Sequence, residues 1–246
     1  MPSSRPIVGS VCGIVALAVL VAGAATSALA AEAVDLELVL AADGSGSIDD
    51  DELRLQRQGY AAAITDQNVL SAIQSGPVGA IALAYIEWGG PDSQHTVVDW
   101  TVIRDTLSAR DFAERVMAAP RMAYGYNSIS GAIDYAADLI RTNDIRGARR
   151  MIDVSGDGPN IGGRPVQAAR DAAVLDGITI NALVVSAPGT SGLAPGFGGP
   201  RGMDLVRHYE RDVIGGFGAF VMTADEERSF ADAVLEKLLR EIVASR

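Results

Sequence analysis

The sequence predicts an α/β fold: a doubly wound, mostly parallel six-stranded sheet with one antiparallel edge strand and helices on both faces. Two patterns carry this prediction. Apolar runs of strand length alternate with segments of helical period, which is typical of a parallel sheet covered on both sides. In addition, the link "GGPDS" at residues 89–93 is short enough for a hairpin, so one strand should run antiparallel.

The first half of the chain contains the hairpin. The apolar run 34–42 is predicted to be the first strand, and the acidic segment after it opens a helix whose apolar residues over 53–64 recur near helical spacing. Residues 78–88 form a second buried strand. Residues 94–103 form a more amphipathic third strand, which we expect near an edge of the sheet.

The second half alternates in the same way. Ser108 is the predicted cap of a helix over residues 108–119, and the loop "YGYNS" opens into the next helix, which is followed by a strand at 149–155. A helix over residues 164–177, closed by Gly177, is followed by a strand at 178–186 and a long Gly- and Pro-rich surface loop at 187–202. The chain then continues with a helix at 203–214, a short strand at 218–224 and an amphipathic closing helix at 225–244.

Residues 1–30 are predicted to be a secretory signal peptide, because Arg5 precedes an apolar run that ends in the small-residue segment "ATSALA". Cleavage after Ala30 would leave one domain, residues 31–246, exported to the periplasm or the exterior without a membrane span. A single membrane anchor is the alternative. Cys12 lies inside the signal, so the mature domain should fold without disulfides.

The formal net charge of −11 disfavours nucleic acid and anionic lipid as partners. A hard cation or a basic protein surface would fit this charge better. Acidity is also an ordinary solubility feature, so it selects neither of these by itself.

Polar side chains follow two predicted strands. Asp43, Ser45 and Ser47 end the first strand in "DGSGS", and Asp157 follows the strand at 149–155 in "SGDGPN". Ligands of doubly wound sheets bind beyond the carboxyl ends of the strands. Carboxylate and hydroxyl oxygens without His or Cys are ligands for Mg²⁺, Mn²⁺ or Ca²⁺.

Simpler interpretations exist for each feature. Asp and Ser at this spacing also form helix caps and Asx turns. An EF-hand loop starting at Asp43 is excluded, because Ile48 stands where its glycine belongs and Arg54 where its last glutamate belongs. The acidic cluster at residues 49–52 is interpreted as the start of a helix.

The "DGSGS" segment resembles the Asp-x-Ser-x-Ser signature of von Willebrand factor A domains. Such domains hold a cation in a metal-ion-dependent adhesion site (MIDAS), with further ligands from a Thr loop and an Asp loop. "DVSGDGPN" and "RDVIGGFGAFVMTA" are similar to a bacterial family of exported, uncharacterised proteins with this domain. The resemblance implies this fold, with Asp157 as the aspartate of the third loop. In integrin β-subunit versions of the domain, two acidic residues a few positions past the last serine bind an adjacent cation, and Asp50 and Asp51 stand at similar places, so a second ion there is the alternative to a helix start. Asn127 and Ser128 stand where the family has Thr.

The resulting prediction is an exported binding module in which a divalent metal is held by Asp43, Ser45, Ser47, Asp157 and one or both of Asn127 and Ser128. A partner protein would supply a Glu or Asp carboxylate to an open coordination position. The alternatives are a hydrolase that uses the same ion and a structural domain whose metal site no longer functions.

The sequence favours a binding module over an enzyme. A Ser/His/Asp arrangement stays open as an alternative, but neither Ser45 nor Ser155 lies in a Gly-x-Ser-x-Gly elbow. His95 and His208 are expected at ordinary surface positions of a strand and a helix. No phosphate-binding Gly-x-x-x-x-Gly-Lys loop is present, and Lys237 is the only lysine, which disfavours a nucleotide enzyme.

Overall fold

The computed structural model describes residues 31–185, 203–225 and 228–243. The predicted signal peptide and the predicted Gly- and Pro-rich loop lie outside these residues. Along the chain, the strands and helices are β1 (Glu32–Asp43), α1 (Asp50–Thr65), α2 (Gln67–Gln74), β2 (Ile81–Trp88), β3 (Gln94–Ile103), α3 (Thr106–Ala118), α4 (Ile129–Thr142), β4 (Ile145–Gly156), α5 (Val166–Leu175), β5 (Thr179–Val185), α6 (Met203–His208), a π-helical turn (Tyr209–Val213), β6 (Val221–Ala224) and α7 (Phe230–Val243).

The sheet has six strands in the order β3-β2-β1-β4-β5-β6. Only the pair of β2 and β3 is antiparallel among these strands, and β3 lies at the edge. This confirms the predicted doubly wound sheet with one antiparallel edge strand. The strand order reverses at β1, because β2 follows β1 on one side and β4 lies on the other. The carboxyl ends of β1 and β4 therefore border the crevice in which such sheets bind ligands.

Helices cover both faces of the sheet because the side chains of β1 alternate between two apolar cores. Leu36, Leu38 and Leu40 pack with residues of α1, α2, α3 and α7. Val39 and Ala41 pack on the opposite face with residues of α4, α5, α6 and the π-helical turn. Burial on both sides explains why the strand reads as a continuous apolar run rather than an alternating one.

Three local predictions need correction. Ser108 is not the cap of α3: the helix begins earlier because Asp105 caps it, accepting a 2.8 Å hydrogen bond from the Ser108 N–H. The sequence reading also missed α2, which Asp66 separates from α1 by capping it at once. The helix predicted over residues 203–214 ends in a π-helical turn rather than as an α-helix.

The core contains a buried charged cluster beneath β4. The Nζ of Lys237, fully buried on α7, lies 2.6 Å from Asp153 Oδ1 and 2.5 Å from Glu241 Oε1. Asn181 of β5 donates a further hydrogen bond to Glu241. Burial raises the pKa of Asp153 to about 7, although the adjacent ammonium group acts in the other direction. This cluster ties the closing helix α7 to strands β4 and β5.

No helix in the part of the chain that the structure describes has both the length and the apolar character needed to cross a lipid bilayer.

Candidate metal centre

The fold brings the two predicted acidic loops together. Asp43 is the last residue of β1, and Asp157 directly follows Gly156 at the end of β4. The two strands are parallel neighbours, with Ala41 of β1 opposite Val154 of β4, so their loops leave the sheet side by side. Residues that are more than a hundred positions apart in sequence thus face one another at the switch point of the sheet.

Four of the predicted residues are joined by a continuous chain of hydrogen bonds. The Ser45 N–H donates to Asp43 Oδ1 at 2.8 Å, and the Ser45 and Ser47 hydroxyl oxygens are 3.0 Å apart. The Ser47 hydroxyl donates to Asp157 Oδ1, also at 3.0 Å. Asp43 and Ser45 are buried while Ser47 is exposed, so the chain runs from the interior to the surface.

Asp43 carries a buried oxygen that the polypeptide leaves unpaired. Its Oδ2 has no hydrogen-bond partner among the described residues. Burial, together with the negative charge of Asp157, raises the pKa of the Asp43 carboxyl to about 7, and the hydrogen bond from the Ser45 N–H opposes this. Unpaired buried carboxylate oxygens are costly, and a cation between two carboxylates would remove that cost. The site therefore fits a divalent metal.

The composition of the site limits the choice of metal. Within the described residues, no three His, Cys, Asp or Glu side chains gather where they could hold an ion. The candidate centre instead combines two carboxylates with hydroxyl oxygens. Hard cations such as Mg²⁺, Mn²⁺ and Ca²⁺ accept such ligands more readily than zinc does.

The second loop contacts both acidic loops through Gly125 and Asn127. The Gly46 N–H, inside "DGSGS", donates to the Gly125 carbonyl at 2.8 Å. Gly125 has φ +98°, a conformation that favours glycine. A Cβ placed on Gly158 would lie 2.3 Å from Asn127 Nδ2, so the buried Asn127 side chain packs directly against the residue after Asp157.

Ser128 has a different role from Asn127. It caps α4 by accepting a hydrogen bond from the Gly131 N–H at 3.3 Å, and its hydroxyl lies 3.2 Å from the Gly162 carbonyl, to which it donates. These contacts occupy the Ser128 hydroxyl. Of the two residues that replace the family's Thr, Asn127 is the better placed beside the Asp157 loop.

Arg121 supports the first loop from outside, a role that the sequence analysis missed. Its Nη2 donates to the carbonyls of Gly44, Ser45 and Ile48 at distances of 2.8–3.0 Å. Its Nη1 pairs with Asp50 at 2.9 Å. One guanidinium thus fixes the backbone on either side of the predicted serine ligands.

The π-helical turn supports the third loop through a buried hydrogen bond, a role that the sequence analysis also missed. The fully buried Tyr209 donates its hydroxyl to the Gly158 carbonyl at 3.0 Å. A Cβ on Gly156 would lie 2.6 Å from that hydroxyl and 3.2 Å from Asp43 Oδ2, so Tyr209 lies directly under the site. Short π segments occur often at functional sites.

His208 was predicted at an ordinary surface position, and this prediction is wrong. Its Nδ1 pairs with Asp212 Oδ2 at 2.9 Å, and its Nε2 accepts the Asn160 N–H at 3.4 Å. The π-helical turn brings it against the Asp157 loop, where it is largely buried. Because Nε2 already accepts a backbone N–H, this histidine is not available as the base of a Ser/His/Asp triad.

His95 remains on β3, and its Nε2 lies 3.3 Å from the Ser93 hydroxyl. Among the described residues, the hydrogen bonds of the two histidines go to Ser93, Asn160 and Asp212 and not to Ser45 or Asp157.

The acidic cluster after the site starts a helix, as predicted. Asp49 caps α1 by accepting the N–H groups of Asp51 and Glu52 at 2.9 and 2.8 Å, and the Glu52 carboxylate accepts the Asp49 N–H. Asp50 pairs with Arg121, and Asp51 pairs with Arg54. The two residues considered for a second ion are thus each engaged with an arginine.

Comparison with solved structures shows the fold. Proximal thread matrix protein 1 from the mussel byssus matches with a TM-score of 0.58 and 13% identity, over 85% of this chain and 47% of that chain. Another structure of that protein has a zinc-occupied MIDAS motif, with a TM-score of 0.55 and 15% identity over 85% and 45% of the two chains.

Two bacterial structures match similarly. The pilus adhesin SpaC from Lactobacillus rhamnosus GG has a TM-score of 0.57 and 12% identity, over 85% of this chain and 31% of that chain. A von Willebrand factor type A protein from Catenulispora acidiphila has a TM-score of 0.52 and 14% identity, over 86% and 42%. The chain spans less than half the length of each of these solved chains.

At the level of sequence, no curated protein matches significantly. The family described as "Protein of unknown function (DUF1194)" matches residues 33–246, which is most of the chain. The chain belongs to this family, and its fold is that of a von Willebrand factor A domain.

Proposed function

We propose that the domain is a protein-binding module that uses a divalent metal ion to bind a Glu or Asp side chain of a partner protein. The observation that carries the proposal is the buried, unpaired Oδ2 of Asp43 beside the Asp157 carboxylate. Asp43, Ser45, Ser47 and Asp157 would hold the ion, with Asn127 as the further oxygen donor from the second loop. Mg²⁺ is the preferred ion, and Mn²⁺ or Ca²⁺ suits the same donors.

The charge balance supports a partner carboxylate. Two aspartates nearly neutralise a divalent ion, and serine hydroxyls add no further charge. A metal bound this way provides a Lewis acid that attracts an anionic oxygen from outside. Structural neighbours that are an adhesin and a MIDAS-containing protein support protein binding as the use of this fold.

The proposal is tested by calorimetric titration of Mg²⁺ and Mn²⁺ into the wild-type protein and Asp43→Ala. We expect binding to the wild type and at least a hundredfold loss in the variant. Asp50→Ala is the matched control, because Asp50 is exposed at the same end of the sheet and pairs with Arg121. Equal affinity in the wild type and Asp43→Ala would refute the metal site.

The second loop is tested separately. Asn127→Thr should retain the ion because a hydroxyl replaces the amide oxygen, while Asn127→Ala should weaken binding. Ser128→Ala should disturb α4 more than it disturbs the metal affinity, since the hydroxyl caps that helix. If Asn127→Thr and Asn127→Ala bind equally well, the second loop supplies no ligand.

We also propose that the protein is exported, with cleavage of residues 1–30. The support is the signal-like sequence and the absence of cysteine after Cys12. Mass spectrometry of the cell-envelope fraction should find a chain that begins near Ala31. A full-length species retained in the membrane would favour the anchor instead.

A further inference from the structure

Three large apolar side chains on the second and third loops of the candidate metal centre are open to solvent. Tyr124, Tyr126 and Ile161, which we call the apolar rim, are 60%, 74% and 52% exposed. Isolated exposed apolar residues are common, but these three lie on loops of the site itself: Tyr124 and Tyr126 on the second loop, and Ile161 on the loop that follows Asp157. We infer that the apolar rim recognises a partner segment in which a single Glu or Asp stands beside a bulky apolar side chain in an otherwise basic or neutral context.

Backbone contacts fix the position of the rim. Tyr124 and Tyr126 flank Gly125, whose carbonyl accepts the N–H of Gly46 between the two predicted serine ligands. Asn127, the residue after Tyr126, packs against the loop of Asp157. The Ile161 N–H donates to the Asn127 carbonyl at 2.8 Å. Each rim residue is thus within one position of a backbone or side-chain contact that assembles the site.

The local fold does not account for these side chains. The turn of the second loop is made by Gly125 at positive φ and by main-chain hydrogen bonds, including the Gly90 N–H to the Tyr124 carbonyl. These bonds do not depend on the side chains at 124 and 126. The Arg121 guanidinium lies 5.3 Å from the Tyr124 ring centroid, and this exposed contact leaves most of that ring in solvent.

The charges beside the rim define the partner further. The exposed acidic groups near the two loops include Asp49, Asp50, Asp51 and Asp92. The exposed cations there, Arg54 and Arg164, are each paired with an aspartate of their own, Asp51 and Asp134. Arg121, the nearby cation, is mostly buried and is occupied by three carbonyls and Asp50. Additional acidic residues in a partner would be repelled, whereas one carboxylate can reach the metal. Apolar and basic neighbours of that carboxylate complement the rim and the acidic groups around it.

This inference rests on the proposed metal-dependent binding, so the experiment separates the two. The purified protein is used to select from a displayed library of random linear peptides in Mn²⁺, and bound phage are eluted with chelator. We expect the eluted peptides to contain one Glu or Asp next to a Leu, Ile, Phe, Tyr or Trp, and to carry no net negative charge. Enriched peptides are then synthesised, and their affinities are measured in Mn²⁺.

The decisive variant is the double substitution Tyr124→Ser and Tyr126→Ser. Peptide affinity should fall about tenfold or more, because each 1.4 kcal/mol of lost apolar burial corresponds to a factor of ten. The affinity for Mn²⁺ alone should change less than about twofold, because neither side chain is a predicted ligand. Replacing the peptide's Glu or Asp by its amide should abolish binding in every variant.

Phe217→Ser is the matched control. Phe217 is 96% exposed, but its carbonyl accepts the hydroxyl of Thr179, the first residue of β5. It therefore lies at the amino ends of the parallel strands, whereas the site lies at their carboxyl ends. This variant should bind the peptides as the wild type does.

Three results would overturn the inference while leaving the metal site intact. They are selected peptides with a carboxylate but no apolar neighbour, unchanged peptide affinity in the double variant, and no enriched peptide although Mn²⁺ binds. Failure of the wild type to bind Mn²⁺ would instead refute the proposed function itself.

Discussion

Replacing Asp43 by Asn should stabilise the protein without metal and abolish the further stabilisation that metal gives the wild type. In the metal-free chain, Asp43 is buried with an unpaired oxygen beside Asp157, and its pKa is raised from 3.8 to about 7. Keeping this carboxyl ionised at pH 8 therefore costs about 4 kcal/mol of folding free energy. Asn removes the charge, and its Oδ1 can still accept the Ser45 N–H.

The sign of the pH dependence follows from the raised pKa. The folded wild type binds the Asp43 proton more tightly than the unfolded chain, so its contribution is fully present below pH 3.8 and is lost as the pH rises towards 7. The advantage of the Asn variant should thus be small at pH 4 and complete above pH 7. Allowing for local relaxation, we expect a gain of about 2–4 kcal/mol at pH 8 in chelator.

The assay is urea denaturation followed by far-UV circular dichroism, in chelator and in Mg²⁺. In a parallel thermal melt, a gain of this size corresponds to a rise in Tm of roughly 4–16 °C for a domain of this length. With Mg²⁺ at a hundred times its Kd, the wild type should gain about 2.7 kcal/mol and the variant nothing. Asp50→Asn is the control and should change stability by less than about 0.5 kcal/mol, because Asp50 is exposed.

A variant that is less stable than wild type in chelator at pH 8 would refute the reasoning. So would an equal stability difference at pH 4 and pH 8, since the cost would then not come from the Asp43 charge.

Other substitutions test the support of the core and of the site. Lys237→Met leaves Asp153 and Glu241 buried without their cation and should lower the free energy of unfolding by about 3–5 kcal/mol in urea, with partial recovery on adding Asp153→Asn. Arg121→Ala should weaken Mg²⁺ affinity by about tenfold in calorimetry, because three loop carbonyls lose their donor, whereas Arg121→Lys should retain part of that affinity. Tyr209→Phe keeps the ring but loses its hydrogen bond to the third loop, and should weaken Mg²⁺ affinity roughly threefold to tenfold with an unchanged circular dichroism spectrum. Unchanged affinity in the last two variants would show that the loops hold their shape without these donors.

The architecture could be predicted because its signals are local. The apolar run of β1, the amphipathic β3 and the five-residue link before it each fit within a short window of sequence. The eight-residue α2 was missed because it follows α1 without a Gly or Pro, and Asp66 both ends one helix and caps the next. Asp105 and Ser108 are both capping residues, and only their geometry identifies Asp105 as the cap.

The supporting residues of the site could not be found in this way. Arg121 acts on carbonyls more than seventy positions earlier in the chain, and Tyr209 acts on a carbonyl that lies 51 positions away. Every residue has a main-chain carbonyl, so the residue type at the acceptor position gives no indication of such a contact. Asp43, Ser45, Ser47 and Asp157 were accessible to sequence analysis because their oxygens directly follow strands, which marks both their chemistry and their location.

The buried position of Lys237 leaves the native protein without a lysine side chain that amine reagents can reach, since this is the single lysine of the chain and its side chain is fully buried. Acylation of its amine requires α7 to move away from Asp153 and Glu241. The rate at which the Lys237 side chain becomes labelled would then measure how often the closing helix opens, just as the exchange rate of a protected amide measures local opening. The single lysine therefore reports on local unfolding of the core without any introduced probe.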